Sequence, residues 1–158
     1  MIILGIDPGT TRIGFGIIKK ESEKLLPLHY GLIPLSPADT KPIKTVINEL
    51  TKLIIAYQPN VAAVEKIFFF KNQKTIISVS EMRGVILAAL ELSNIPIHEF
   101  TPLQVKQSVS SYGRAGKDQV QRMVKLILGI GTEIQPDDAA DGLAIAICCA
   151  NNILSTNY

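Results

Sequence analysis

The chain has 158 residues, 47% hydrophobic and 19% charged, with a formal net charge of +2. This suits one globular unit, 1–158, with a sizeable core, and is too apolar for a disordered segment. No apolar run reaches membrane-span length, no basic region precedes the first apolar residues as a secretory leader requires, and two adjacent cysteines, Cys148 and Cys149, form neither a disulfide framework nor a zinc site, so a reduced, cytoplasmic protein is expected.

The first stretch, MIILGIDPGT, is an apolar run that ends in a lone acid, Asp7, followed by the turn signal Pro8-Gly9. It reads as a strand buried on both faces that delivers one carboxylate to its carboxyl end, where α/β sheets bind ligands. Taken alone, Asp7 could equally cap the turn. Residues 12–18 alternate around Gly14 and Gly16 and can return antiparallel. Residues 25–35, broken by Pro27 and Pro34, predict an edge strand, since proline cannot donate to a ladder.

The period then changes. Ile43, Val46, Ile47, Leu50, Leu53, Ile54 and Tyr57 follow helical spacing over 42–57. A short buried strand, 61–64, ends like the first in an acid, Glu65, and the helix between supplies the crossover for a parallel pair. A second helix is predicted over 72–92, with apolar residues on more than one face. A strand over 95–100 follows, then Thr101-Pro102, a helix start. Helices are expected over 103–109, 117–128 and from Gln135-Pro136 to about Asn152, with a polar, glycine-containing loop over 110–116. The fold class is therefore α/β: a five-stranded mixed sheet with helices on its faces.

Asp138 and Asp141 are three apart at the start of the last helix, so both point from one face. Charging of a helix N-terminus explains one or two of Asp137, Asp138 and Asp141. It does not explain why the buried run Leu143 to Ile147 follows at once, with no Arg or Lys near in sequence. If the strands ending in Asp7 and Glu65 are neighbours, a helix over their edge brings four carboxylates together. Such a cluster needs a cation. All-oxygen ligands suit Mg²⁺, with Mn²⁺ as substitute, rather than zinc. Sites of this kind hold two ions roughly 3.5–4 Å apart and perform in-line phosphodiester chemistry. With four acids withdrawn from the 14 against 16 basic residues, the remaining surface is net basic, which suits a polyanion. His29 and His98, in strand-like apolar surroundings, read as structural.

Gly5-Ile6-Asp7-Pro8-Gly9, Val64-Glu65, Val105-Lys106-Gln107 and Asp138-Ala139-Ala140-Asp141 resemble, in order and spacing, the motifs of the RuvC family of Holliday-junction resolvases. The resemblance runs from the first residues to about Ala150. It implies a ribonuclease-H-like fold and a Mg²⁺-dependent endonuclease that nicks two strands of like polarity across a four-way DNA junction, in recombination and repair. It also implies a homodimer and a RuvA–RuvB branch-migration partner. The family's metal-binding acids map to Asp7, Glu65, Asp138 and Asp141. Its basic residues near the scissile phosphate map to Lys106 and Lys117, and its junction-stacking aromatic maps to Phe68. Three features depart from the pattern. Asp137 adds an acid before the last motif, Gly142 stands where the family usually has Ala, and the tail after the last helix is short.

Phe68, Phe69 and Phe70 sit between Lys66 and Lys71, and three successive aromatics cannot all face one core. One can stack on an unpaired base, although burial in the core or an interface is the alternative for each. Arg114, in the polar loop, is a candidate phosphate contact or a solvated charge. Three other functions compete. An actin-like ATPase shares the first loop but needs two such domains. A YqgF-type nuclease would prefer flaps or hybrids. A non-catalytic junction binder gains nothing from four acids.

Overall fold

The apolar run that opens the chain forms β1 (Ile2–Asp7), the middle strand of a five-stranded sheet. The computed structural model describes residues 1–35, 42–67, 73–113 and 115–153, with only the backbone at 73–75. β2 (Arg12–Glu21) returns antiparallel to β1, and β3 (Lys24–Pro34) antiparallel to β2. Helix α1 (Pro42–Tyr57) crosses over so that β4 (Val61–Glu65) lies parallel to β1 on its other side. Helix α2 (Gln73–Leu92) repeats the move, setting β5 (Ile97–Phe100) parallel to β4. Helices α3 (Pro102–Ser110), α4 (Lys117–Leu128) and α5 (Asp137–Ile153) follow. Across the sheet the order is β3-β2-β1-β4-β5, so the proline-bearing strand is indeed at an edge.

Each strand alternates its side chains between two cores. Leu4, Ile6, Ile17 and Val64 face α1 and α2, meeting Val46, Leu50, Ile86 and Leu90. Ile3, Ile18, Val61 and Ala63 face the other way, toward α3, α4 and α5. A β-bulge between Ile17 and Ile18 passes over Leu28, which stays unpaired beside Pro27. β2 runs three residues beyond the expected 18 because Lys19 and Lys20 keep pairing with β3, and the Lys20 ammonium donates to the Ala150 carbonyl at 2.8 Å. β5 starts at Ile97 rather than Ile95, since Pro96 has no N–H; its carbonyl still accepts from Ala62 N at 2.9 Å.

Helix α5 lies closest to the sheet, and its residues from Leu143 to Ala150 are all buried. Glycines on the facing surfaces permit this approach. A Cβ placed on Gly14 would come 2.6 Å from the Asp138 carbonyl carbon, and one on Gly142 would come 2.5 Å from the Phe15 carbonyl carbon. Gly142, which costs about 1 kcal/mol of helix propensity against alanine, is thus the helix's own contribution to the close approach of α5 and β2, beside Gly14 and Gly16 on the strand.

The histidines are more exposed than their neighbours suggested, because both lie on edge strands. His29 on β3 sits between the rings of Phe15 (5.3 Å) and Tyr57 (5.5 Å), and His98 on β5 stacks on Phe100 (6.4 Å). Cys148 and Cys149 are free and buried in α5. Burial pushes their thiols up to about 11 and about 12, which leaves them unreactive near neutral pH. Among the described residues, no helix is long and apolar enough to cross a membrane.

Candidate metal centre

Asp7 and Glu65 are the last residues of β1 and β4, one step beyond the paired Ile6 and Val64, so the two acids stand side by side at the carboxyl edge of a parallel pair. Asp7 is also opposite Gly14 across the β1–β2 ladder. The bare glycine leaves space there for the first turn of α5. That turn carries Asp138 and, one turn on, Asp141. One carboxylate oxygen from each of Asp7, Asp138 and Asp141 lies within 4.8 Å of the others. Glu65 is outside this group but lines a cleft of about 230 Å³ with Asp7 and Asp141, together with Lys106, Lys117 and Val105. Asp137 is also outside it, with a side chain 57% exposed against 28% for Asp138.

Burial raises the carboxyl of Asp7 to about 8, and the charges of Glu65, Asp141 and Asp138 add to the rise. Glu65 is raised to about 7, again chiefly by burial, then by Asp141, against the opposing pull of Lys106. Asp141 is raised by burial in spite of Lys117. Burial and the neighbouring carboxylates thus hold Asp7, Glu65 and Asp141 above the ordinary carboxylate range in spite of the cations beside them. Those cations are Lys106, which lines the cleft and acts on Glu65, Lys117, whose Nζ lies 3.4 Å from Asp137 and 3.5 Å from Asp141, and Arg12, whose Nε lies 3.4 Å from Asp138. Burial works against the charge on Lys117, but Asp141 and Asp137 outweigh it and raise its pKa. The triad's donors are all carboxylate oxygens, the set a hard divalent cation takes.

Helix α3 presents Lys106 to this cleft and α4 presents Lys117 from its first residue. Phe68, with Phe69 and Phe70, and Arg114 lie outside the described residues. Two cations were missed in the sequence. Arg12 follows the Asp7 turn by five residues, and that proximity was a usable signal. Arg83 is 18 residues from Glu65; its Nε donates to the Glu65 carbonyl at 3.1 Å, and no local pattern announces it.

The family model of the crossover junction endodeoxyribonuclease RuvC matches residues 3–149. The chain belongs to the RuvC family. It is 51% identical over 154 residues to the RuvC of Petrotoga mobilis, covering 96% of this chain and 94% of that one. The RuvC of Syntrophomonas wolfei is 48% identical over 151 residues, with 94% and 87% covered. Among solved structures, T. thermophilus RuvC in complex with Holliday junction substrate superposes with a TM-score of 0.91 at 31% identity, covering 99% of this chain and 97% of that chain. The ribonuclease-H-like fold implied by the motifs is therefore the fold present, and the chain, as a RuvC family member, is an endodeoxyribonuclease, a hydrolase of phosphodiester bonds.

Proposed function

We propose that the protein resolves four-way (Holliday) DNA junctions by paired, symmetric nicks during recombination and repair. The observation that carries this reading is the carboxylate cleft at the end of β1 and β4. There, three acids converge within 4.8 Å, a fourth adjoins them, and the buried carboxyl of Asp7 is raised to about 8. In this reading Asp7, Glu65, Asp138 and Asp141 hold Mg²⁺, two ions per site, with Mn²⁺ able to replace it. The bound metal would activate water and stabilise charge on the phosphate and leaving oxygen of an in-line displacement. Lys106 and Lys117 supply positive charge for the phosphate from α3 and α4, which orients the strand without reading its sequence. Phe68 stacks on an unpaired base at the crossover, and Arg114 contacts a backbone phosphate.

One cleft per chain cuts one strand, whereas resolution needs two symmetric cuts. A homodimer with C₂ symmetry matches the two-fold symmetry of the junction. We read residues 1–158 as one catalytic domain, working in the cytoplasm beside a RuvA–RuvB branch-migration complex.

The deciding experiment is cleavage of a synthetic four-way junction with Mg²⁺, beside duplex, flap and RNA–DNA hybrid controls. The expected result is paired nicks in strands of like polarity, on the junction far above the controls. Flap or hybrid cleavage exceeding junction cleavage would assign the protein to a different nuclease activity.

A further inference from the structure

Arg83 is carried by α2 and is tied to the end of the strand that carries Glu65. Its Nε donates to the Glu65 carbonyl at 3.1 Å, and its terminal NH₂ pairs with the carboxylate of Glu99 on β5. The guanidinium is held rather than loose, with its side chain only 18% exposed. The same peptide unit is fixed from its other end: Lys66 N donates to the Phe100 carbonyl at 2.8 Å. Both polar groups of the Glu65–Lys66 peptide therefore have fixed partners.

This matters because β4 ends at Glu65. Beyond a strand end the ladder no longer dictates the peptide plane, and rotation about the Glu65 Cα–C bond swings the following segment relative to its Cβ. Here the β5 side of the ladder still holds through the Glu65–Phe100 pair, whereas pairing with β1 has stopped at Val64, and Arg83 supplies the partner for the Glu65 carbonyl. Arginine suits the task because its planar fork can serve a carbonyl and a carboxylate at once, whereas a lysine ammonium is a point charge without that geometry.

We propose that Arg83, anchored by Glu99, is a positioning residue that sets the direction of the Glu65 carboxylate in the acid cleft and so tunes divalent-cation affinity. The proposal rests on the reading that Glu65 is a metal ligand. Partners of this indirect kind are typically worth about 10–100-fold in metal affinity or activity.

The test uses R83K, E99Q and E65Q in the full chain. The Mg²⁺-induced rise in Tm is titrated without DNA, and junction cleavage is measured separately. R83K is expected to raise the half-saturating Mg²⁺ concentration by about 10-fold or more and to lower kcat, with KM for the junction nearly unchanged. E99Q, which loosens the anchor but leaves the guanidinium in place, is expected to shift the Mg²⁺ titration the same way by less. If both variants bind Mg²⁺ with the wild-type midpoint, whatever their Tm without metal, the positioning role is overturned and Arg83 is only a structural link. E65Q separates the two readings. An inactive E65Q beside wild-type-like R83K and E99Q removes the proposal alone, whereas a fully active E65Q removes Glu65 from the metal site and the proposal with it.

Discussion

At pH 7 the metal-free cleft keeps a proton on Asp7, because burial and three neighbouring carboxylates push its carboxyl up to about 8. In the unfolded chain the same group ionises near its ordinary value of 3.8. Between these values the folded state holds a proton that the unfolded state has released, so the stability of the metal-free protein falls as pH rises from about 4 to about 8. Glu65 adds a loss of the same sign between 4.5 and about 7. A divalent cation that replaces these protons reverses the trend. Melting temperatures across this range, in chelator and in Mg²⁺, are therefore expected to diverge as pH rises. Asp7→Asn is expected to flatten the chelator curve, raise Tm at pH 8, and abolish most of the gain from Mg²⁺. In cleavage assays Asp7→Asn, Glu65→Gln, Asp138→Asn and Asp141→Asn are each expected to lose at least roughly 100-fold while still retarding junction DNA on a gel, since amides are poor ligands but the lysines remain. Asp137→Asn, outside the triad, is expected to be mild.

Helix α5 is the element on which the site depends, because it both fills one core and carries two of the acids. Its depth is set by glycines on β1 and β2 and by Gly142 on the helix itself. Gly14→Ala is the informative change, since the added methyl would meet the backbone of Asp138 rather than a side chain that can swing aside. Overpacking of this kind costs about 1–3 kcal/mol. A drop in Tm of that size is expected, with a disproportionate loss of cleavage because α5 shifts at the turn bearing Asp138. Circular dichroism melts beside single-turnover cleavage measure both. The segment between β4 and α2 carries Phe68, the proposed stacking residue. Phe68→Ala is expected to reduce junction resolution with little change in Tm, and Phe68→Trp to retain activity, because any ring can stack. A collapse of Tm in Phe68→Ala would assign the ring to a core.

The whole molecule leaves apolar surface on α2. Met82, Ile86 and Leu90 are buried in the core beneath the sheet and Val79 is buried as well, whereas Ile77 is 60% exposed. A helix apolar on more than one face has a second partner to find, and a second copy of the chain is the partner expected here. Sedimentation is expected to give a dimer without DNA. Ile77→Glu is expected to give monomers that nick junctions singly rather than in pairs, which time courses on a cruciform plasmid distinguish. Wild-type sedimentation as a monomer with coupled nicking would overturn the dimer.

Much of this was legible in the chain itself. Apolar runs, proline positions and the change from period 2 to period 3.6 located the five strands and five helices of the described residues, because burial on one face or two leaves a direct imprint on residue order. Asp7 and Glu65 stood out as acids ending buried strands, and Asp138 and Asp141 as acids one helical turn apart. What sequence spacing could not determine was which groups meet across long loops. The pairing of Lys117 with Asp137 and Asp141, of Arg12 with Asp138, and of Arg83 with Glu65 and Glu99 depends on how helices settle on the sheet. So does the closer grouping of Asp7, Asp138 and Asp141 than of Glu65. These distances follow from packing at Gly14 and Gly142, where the absence of a side chain, invisible as a local signal, decides how near two backbones can come.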